Sequence, residues 1–325
     1  MMEQLKIGVI GTGHMGRNHV RNLVDEKRFD LVGIYDSDKI QAAEIASQYN
    51  VKAFDTVEDL LDSVNAVVVA VPSSLHKEIG LMVAEKGVHA LIEKPLATSS
   101  EDAIEIADAF KKQGLKLQVG HIERFNAVIT ELNKILEGKQ IFYLEAHRYS
   151  PFSGSGRIKD TSVIEDLMIH DIDIVCSLMD PEKVVDIRGN GERIKSDAID
   201  FSTCMLKFSS NAHAVINASR VSQNKERLLE IHTNDSIISA DLLSKTLTIT
   251  MNTDIMVESE HSGTYKQDAV VQKVFVPIIE PLRAELQSFY DAVVNNSDIL
   301  VNGDVAIRAI KICEEVVDKS NKAKE

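Results

Sequence analysis

Lys6-Ile7-Gly8-Val9-Ile10-Gly11-Thr12-Gly13-His14-Met15-Gly16 decides how this chain is read. An apolar run of β-forming residues ends in Gly11-x-Gly13-x-x-Gly16. Gly11 permits a tight turn out of the strand. Gly13, lacking a side chain, lets a pyrophosphate approach the backbone, and Gly16 lets the following helix lie close to the sheet. The helix that starts at His14 and Met15 would turn its unpaired N–H groups and positive dipole end toward those phosphates. Taken alone, the same three glycines also fit an ordinary turn. The next apolar run, Phe29 to Tyr35, separates the two readings, because it ends in Asp36, about 20 residues past Gly16. A dinucleotide fold places there the carboxylate that accepts the adenosine ribose hydroxyls. Asp36 repels a 2′-phosphate, and Ser37-Asp38-Lys39 brings no Arg behind it, so the expected cofactor is NAD rather than NADP.

Outward from this loop, strands and helices alternate to about residue 120. Ala66-Val67-Val68-Val69-Ala70-Val71 is a near-continuous β-branched run, as a central parallel strand covered on both faces requires. His89-Ala90-Leu91-Ile92 and residues 116–119 read as two further strands. Helices are expected over about 38–49, 74–86 and between Thr98-x-x-Glu101, a capping box, and Gly114, a helix stop. Thr56-x-x-Asp59 is a second capping box. The pattern is an α/β Rossmann domain, a doubly wound parallel sheet, over residues 1–121.

From residue 122 to 325 the pattern becomes α+β. Helices are expected over about 125–137 and 162–179, a strand over 141–147, and then strand-like runs at hairpin spacing from Val184 to Phe275. Two helices, about 280–294 and 304–320, close the chain. The expectation is a large, mostly antiparallel open sheet with one uncovered face. Such a face commonly joins copies of a chain, so a homo-oligomer, dimer or tetramer, is expected.

The chain has 325 residues and a formal net charge of −14, which argues against nucleic acid or an anionic membrane as the main partner. No apolar run is long enough to span a membrane and no signal peptide is visible. Cys176, Cys204 and Cys313 are scattered and never form a CxxC pair, so a reduced, cytoplasmic protein is expected.

Ligands of an open α/β sheet bind beyond the carboxyl ends of its strands. Pro72, Ser73 and His76, then Glu93-Lys94-Pro95, then His121 and Arg124, all fall there. Lys94 at a buried sheet mouth needs a partner. It is either paired with Glu93 for structural reasons or positioned to stabilise a developing alkoxide. On the apolar helix, at about 100° per residue, Asp166, His170 and Asp173 share one stripe. Glu165 and Asp171 lie off it and need exposure or partners of their own. The Asp166/His170 pair is either a helix-surface contact or an acid–base pair in a cleft. No third ligand accompanies it, so no metal is expected.

The order GTGHMG, VPSSLH, EKP and Glu165-Asp-Leu-Met-Ile-His170-Asp-Ile-Asp173 resembles the Gfo/Idh/MocA family of sugar and cyclitol oxidoreductases along the whole chain. The resemblance implies that Lys94 polarises the reacting hydroxyl, His170 is the general base and Asp166 orients it, with hydride passing to nicotinamide C4. His121-Ile-Glu-Arg-Phe-Asn126 and Pro151-Phe152…Arg157…Asp166 resemble the branch containing UDP-N-acetylglucosamine 3-dehydrogenases. A nucleotide sugar needs cations for its diphosphate, and Arg124, Arg148, Arg157 and Lys159 are available unless they form only a solvated basic loop. The alternatives are an inositol or free-sugar dehydrogenase and, in another class, a non-catalytic NAD(H)-responsive binding protein.

Overall fold

The computed structural model describes residues 4–152, 161–258 and 265–322, with the backbone alone described over 252–258 and 265–269. Its contacts form two compact units, Met1–Phe125 with Ile279–Lys311, and Asn126–Ile278 with Ile312–Glu325. The sequence reading drew one boundary after residue 121, whereas the contacts return a C-terminal segment to the first unit.

The first unit alternates β1 (Leu5–Ile10), α1 (His14–Asp25), β2 (Phe29–Tyr35), α2 (Lys39–Tyr49), β3 (Lys52–Ala53), α3 (Val57–Leu61), β4 (Ala66–Val69), α4 (His76–Glu85), β5 (His89–Glu93), α5 (Ser100–Lys112) and β6 (Leu117–Gly120). The strand order is β3-β2-β1-β4-β5-β6, and every pair is parallel. The order reverses direction at β1, so the crevice beyond β1 and β4 is the topological switch point where such sheets bind ligands. β4 is buried along its whole length, which explains why it needed no alternation. Leu286, Phe289 and Tyr290, on the late helix α8 (Pro281–Val294), join Leu5, Val20 and Phe29 in one apolar core cluster. That packing is why the segment belongs to this unit.

Helix starts follow their capping residues. Thr56 accepts from the Asp59 N–H and Asp38 from those of Ile40 and Gln41. For α5 the cap is Ser99, which accepts from Asp102 at 3.1 Å, rather than the expected Thr98.

The second unit contains α6 (Ala127–Leu136), β7 (Ile141–Tyr149), a π-helical turn (Ile164–Met168) leading into α7 (Ile169–Leu178), and β8 (Val184–Glu192), β9 (Phe201–Phe208), β10 (His213–Ser219), β11 (Glu226–Thr233), β12 (Ile237–Asp241), β13 (Thr246–Glu258) and β14 (Tyr265–Val274). The eight strands run β14-β13-β12-β11-β7-β10-β9-β8. Only β7–β10 is parallel among these neighbours. Along β7, Leu144, Ala146 and Arg148 are buried while Tyr143, Glu145, His147 and Tyr149 are half-exposed, so one face is covered and the other is open. The last helix, α9 (Gly303–Lys322), brings Val316 against β8. A Cβ at Gly189 would meet Val316 Cγ1 at 2.9 Å. All three cysteines are buried and unbridged.

Asp200 anchors the turn before β9. Its Oδ2 accepts from the N–H groups of Ile194, Lys195 and Ser196 at 2.8, 2.6 and 2.9 Å, and its Oδ1 from Arg220 Nε at 2.7 Å. Burial alone would raise this carboxyl, but these donors outweigh it and hold the group well below the usual carboxylate range. A depressed folded value stabilises the fold above the unfolded value of about 3.9, and that contribution is lost as pH falls further. Asp200→Asn should therefore flatten the decline in melting temperature between about pH 5 and pH 2. An unchanged decline would show that Asp200 does not contribute to it.

Candidate active site

Two of the three glycines in the loop after β1 are required by the protein itself. Gly11 has φ +88°, and a Cβ there would lie 2.7 Å from the Ala70 carbonyl oxygen. A Cβ on Gly16 would overlap the Gly11 carbonyl oxygen. Gly13 differs, because its φ is −62° and nothing lies within 4 Å of an added Cβ. No internal contact excludes a side chain there, which leaves the backbone open to a group that approaches from solvent. Gly13 caps α1 without any side-chain hydrogen bond, and the first turn carries no acidic residue. His14 and Met15 open that turn, and the N-terminus suits an anion. These residues fit a dinucleotide pyrophosphate. Gly13→Val should cost no more than about 1 kcal/mol of stability, as a poorer N-cap, and weaken NADH binding on the order of 100-fold, about 2.7 kcal/mol. Unaltered affinity in a fluorescence titration would remove the loop from the cofactor site.

Asp36 follows β2 beside this loop. Its Oδ2 accepts from the Thr12 N–H at 2.6 Å, the Thr12 hydroxyl at 2.8 Å and Gln41 Nε2 at 3.1 Å, and its Oδ1 from the Asp38 N–H at 2.9 Å. Burial would raise the carboxyl, but the hydrogen bonds from Thr12, Asp38 and Gln41 bring it below its ordinary value. The group is an ionised, oriented acceptor suited to vicinal hydroxyls.

Beyond β4, Pro72 and Ser73 lead a short 3-10 turn into α4. His76 is 1% exposed and spans two loops, with Nδ1 2.8 Å from the Pro95 carbonyl oxygen and Nε2 3.0 Å from that of Val71. Both ring nitrogens face main-chain carbonyls, so His76, expected at the cofactor, ties two loops together. The Lys94–Pro95 peptide is cis. Glu93 is buried and its Oε1 lies 2.8 Å from Nε2 of the fully buried His19. That carboxylate oxygen is thus engaged by His19, and Lys94 is half-buried at the strand's end. Among the described residues, His19 and Glu285 were missed in the sequence. A histidine three positions after Gly16, on the buried side of α1, was the available signal for the first. Glu285 is wholly buried on α8, and burial, then the charge of Glu93, raises its carboxyl well above the usual range.

In the second unit, Asp166 and His170 are half-buried, one in the π-helical turn and the other at the start of α7, and Asp173 is buried. The two acidic residues off that stripe behave as expected. Glu165 accepts from the Ser162 hydroxyl at 2.7 Å. Asp171 accepts from Arg148 Nε at 2.7 Å and Nη2 at 2.9 Å, with both side chains 2% exposed. Arg148, expected as a cation for substrate, is here engaged by Asp171. Its β7 position faces inward, and its guanidinium is held bidentately by Asp171. In the first unit His121 is buried and Arg124 half-buried. Arg157 and Lys159 lie outside the described residues. No described helix is long and apolar enough to cross a membrane.

Residues 5–121 match the model of the oxidoreductase family with an NAD-binding Rossmann fold, and residues 140–239 match the GFO/IDH/MocA C-terminal domain. The chain is 32% identical over 317 residues to UDP-N-acetylglucosamine 3-dehydrogenase of Acidithiobacillus ferrooxidans, covering 97% of each chain. A solved structure of that enzyme matches with TM-score 0.90 and 29% identity over 99% of both chains. The scyllo-inositol 2-dehydrogenase (NAD+) of Bacillus subtilis is 28% identical over 237 residues, 68% of this chain and 69% of the relative. With both domain models matched and full-length similarity of this kind, the chain belongs to the Gfo/Idh/MocA oxidoreductases and is a dehydrogenase acting on CH–OH groups.

Proposed function

We propose that the protein is an NAD-dependent dehydrogenase that oxidises the 3-hydroxyl of a nucleotide sugar, UDP-N-acetylglucosamine, to the ketone. The observation that carries this reading is the identity to a relative of that activity across 97% of both chains. The Gly11–Gly16 loop and Asp36 hold the cofactor's pyrophosphate and adenosine ribose, and Pro72, Ser73, Glu93 and Lys94 line its path. The preference for NAD rests on the charge of Asp36. A bound nicotinamide supplies the hydride acceptor.

The chain's own residues handle the proton. Lys94 donates a hydrogen bond to the reacting hydroxyl oxygen and stabilises the alkoxide as the C–H bond breaks. His170 takes the hydroxyl proton on its imidazole, and Asp166 orients that ring. One hydride and one proton leave the alcohol, and the ketone remains. His121, Arg124 and Arg157 are assigned to the substrate, with the two arginines on its diphosphate. The open sheet face carrying His147, Leu228 and Ile237 joins copies of the chain into a homo-oligomer. Its three thiols fit a cytoplasmic setting.

The test is NADH formation by purified protein with NAD and UDP-N-acetylglucosamine, UDP-glucose or myo-inositol. An aminotransferase with glutamate should be present to remove an unstable ketone. Turnover with UDP-N-acetylglucosamine is expected. Turnover with inositol alone would discard the diphosphate role of the arginines and keep the fold and acid–base set.

A further inference from the structure

The surroundings of Asp36 contain a cation that the reaction does not use. Arg17 lies one residue past Gly16, on the exposed side of α1. Its Nε donates to the Thr12 carbonyl at 3.1 Å and its Nη2 to Gln41 Oε1 at 3.0 Å. The other end of the same amide, Gln41 Nε2, donates to Asp36 Oδ2 at 3.1 Å and to the Thr12 hydroxyl at 3.2 Å. One side-chain amide therefore stands between the ribose carboxylate and the guanidinium. A second cation nearby, Lys39, is engaged elsewhere: its Nζ donates to the Asp55 carbonyl at 2.7 Å and lies 4.3 Å from the centre of the Tyr35 ring.

We infer that Gln41 and Arg17 are specificity-determining residues for the cofactor. Gln41 holds Arg17 back from the position of a 2′-phosphate, so that rejection of NADP depends on a repelling carboxylate and on a restrained cation together. The physical reason is the charge on that phosphate. A dianionic 2′-phosphate beside Asp36 meets like charge, and Arg17 is the group that could offset it with a bidentate contact. While Gln41 bridges the two residues, the guanidinium is pinned to Thr12 and to the amide oxygen. Removing the carboxylate takes away both the repulsion and one acceptor that orients Gln41, which leaves Arg17 able to turn to the phosphate. This inference rests on the proposed preference for NAD.

The experiment is titration of the full chain with NADH and with NADPH, followed by nicotinamide fluorescence or calorimetry, so that no turnover is needed. The variants are Asp36→Ser, Asp36→Ser with Arg17→Ala, and Gln41→Leu. The native chain should bind NADH at least about tenfold more tightly than NADPH, the scale of one charged contact. Asp36→Ser should tighten NADPH about tenfold, and adding Arg17→Ala should abolish that gain without further weakening NADH. Gln41→Leu, with Asp36 intact, should narrow the NADH-to-NADPH ratio several-fold. Equal NADPH binding by the single and double variants, or an unchanged ratio in Gln41→Leu, would overturn the inference while leaving the cofactor assignment in place. A native chain that binds neither nucleotide would overturn both.

Discussion

Lys94→Met should fold like the native chain, yet turn over roughly 100- to 1,000-fold more slowly at saturating NAD, a loss of about 2.7–4 kcal/mol of transition-state stabilisation. The alkoxide character of the reacting oxygen appears only as the C–H bond breaks, so the ammonium contributes most there and little to the ground state. KM for the sugar should therefore move far less than kcat. The surroundings of Lys94 support this. Glu93, its neighbour in the chain, directs Oε1 to His19 at 2.8 Å. His76 fastens the turn through the Pro95 carbonyl. Neither of these two contacts uses the Lys94 amine, so both remain in the variant. Steady-state kinetics with a melting curve check the prediction. A large fall in melting temperature with kcat preserved would make Lys94 a structural partner instead.

Arg148→Met should destabilise the second unit by about 3–5 kcal/mol, because it strands the Asp171 carboxylate in the interior. Both partners are 2% exposed and the contact is bidentate. Replacing both, as Arg148→Met with Asp171→Leu, should recover most of the loss, since well-packed apolar groups of similar volume often match a buried ion pair. Chemical denaturation of the single and double variants measures this as a coupling. If Arg148→Met left stability unchanged and instead raised KM for a UDP-sugar, the arginine would return to the substrate.

The Rossmann half was legible because its signals are local. Glycines required by backbone geometry, a strand of four buried residues and a carboxylate at a fixed distance are properties of short stretches. β3, two exposed residues long, has no periodicity to read. Thr98 and Ser99 both offer a hydroxyl at capping distance from an acidic residue, and only the backbone shows that Ser99 begins the helix. The return of α8 to the first unit depends on Phe289 and Tyr290 meeting a core built some 250 residues earlier, which no local pattern encodes. The second unit was read less well for a similar reason. A stripe drawn at a constant angle cannot show the π-helical turn at Ile164–Met168. Arg148 was readable in principle, since Leu144, Ala146 and Arg148 alternate onto one face of β7. An arginine in an inward register needs a buried carboxylate, and Asp171 was already noted as needing exposure or a partner of its own.

The most direct test of the account uses UDP-N-acetylglucosamine carrying deuterium at C3, incubated with the protein and NAD and followed by mass spectrometry of the nicotinamide. The account predicts one deuterium in the reduced cofactor and a 3-keto sugar trapped by transamination. Reduced cofactor without deuterium, or an unaltered sugar beside turnover of inositol, would contradict it.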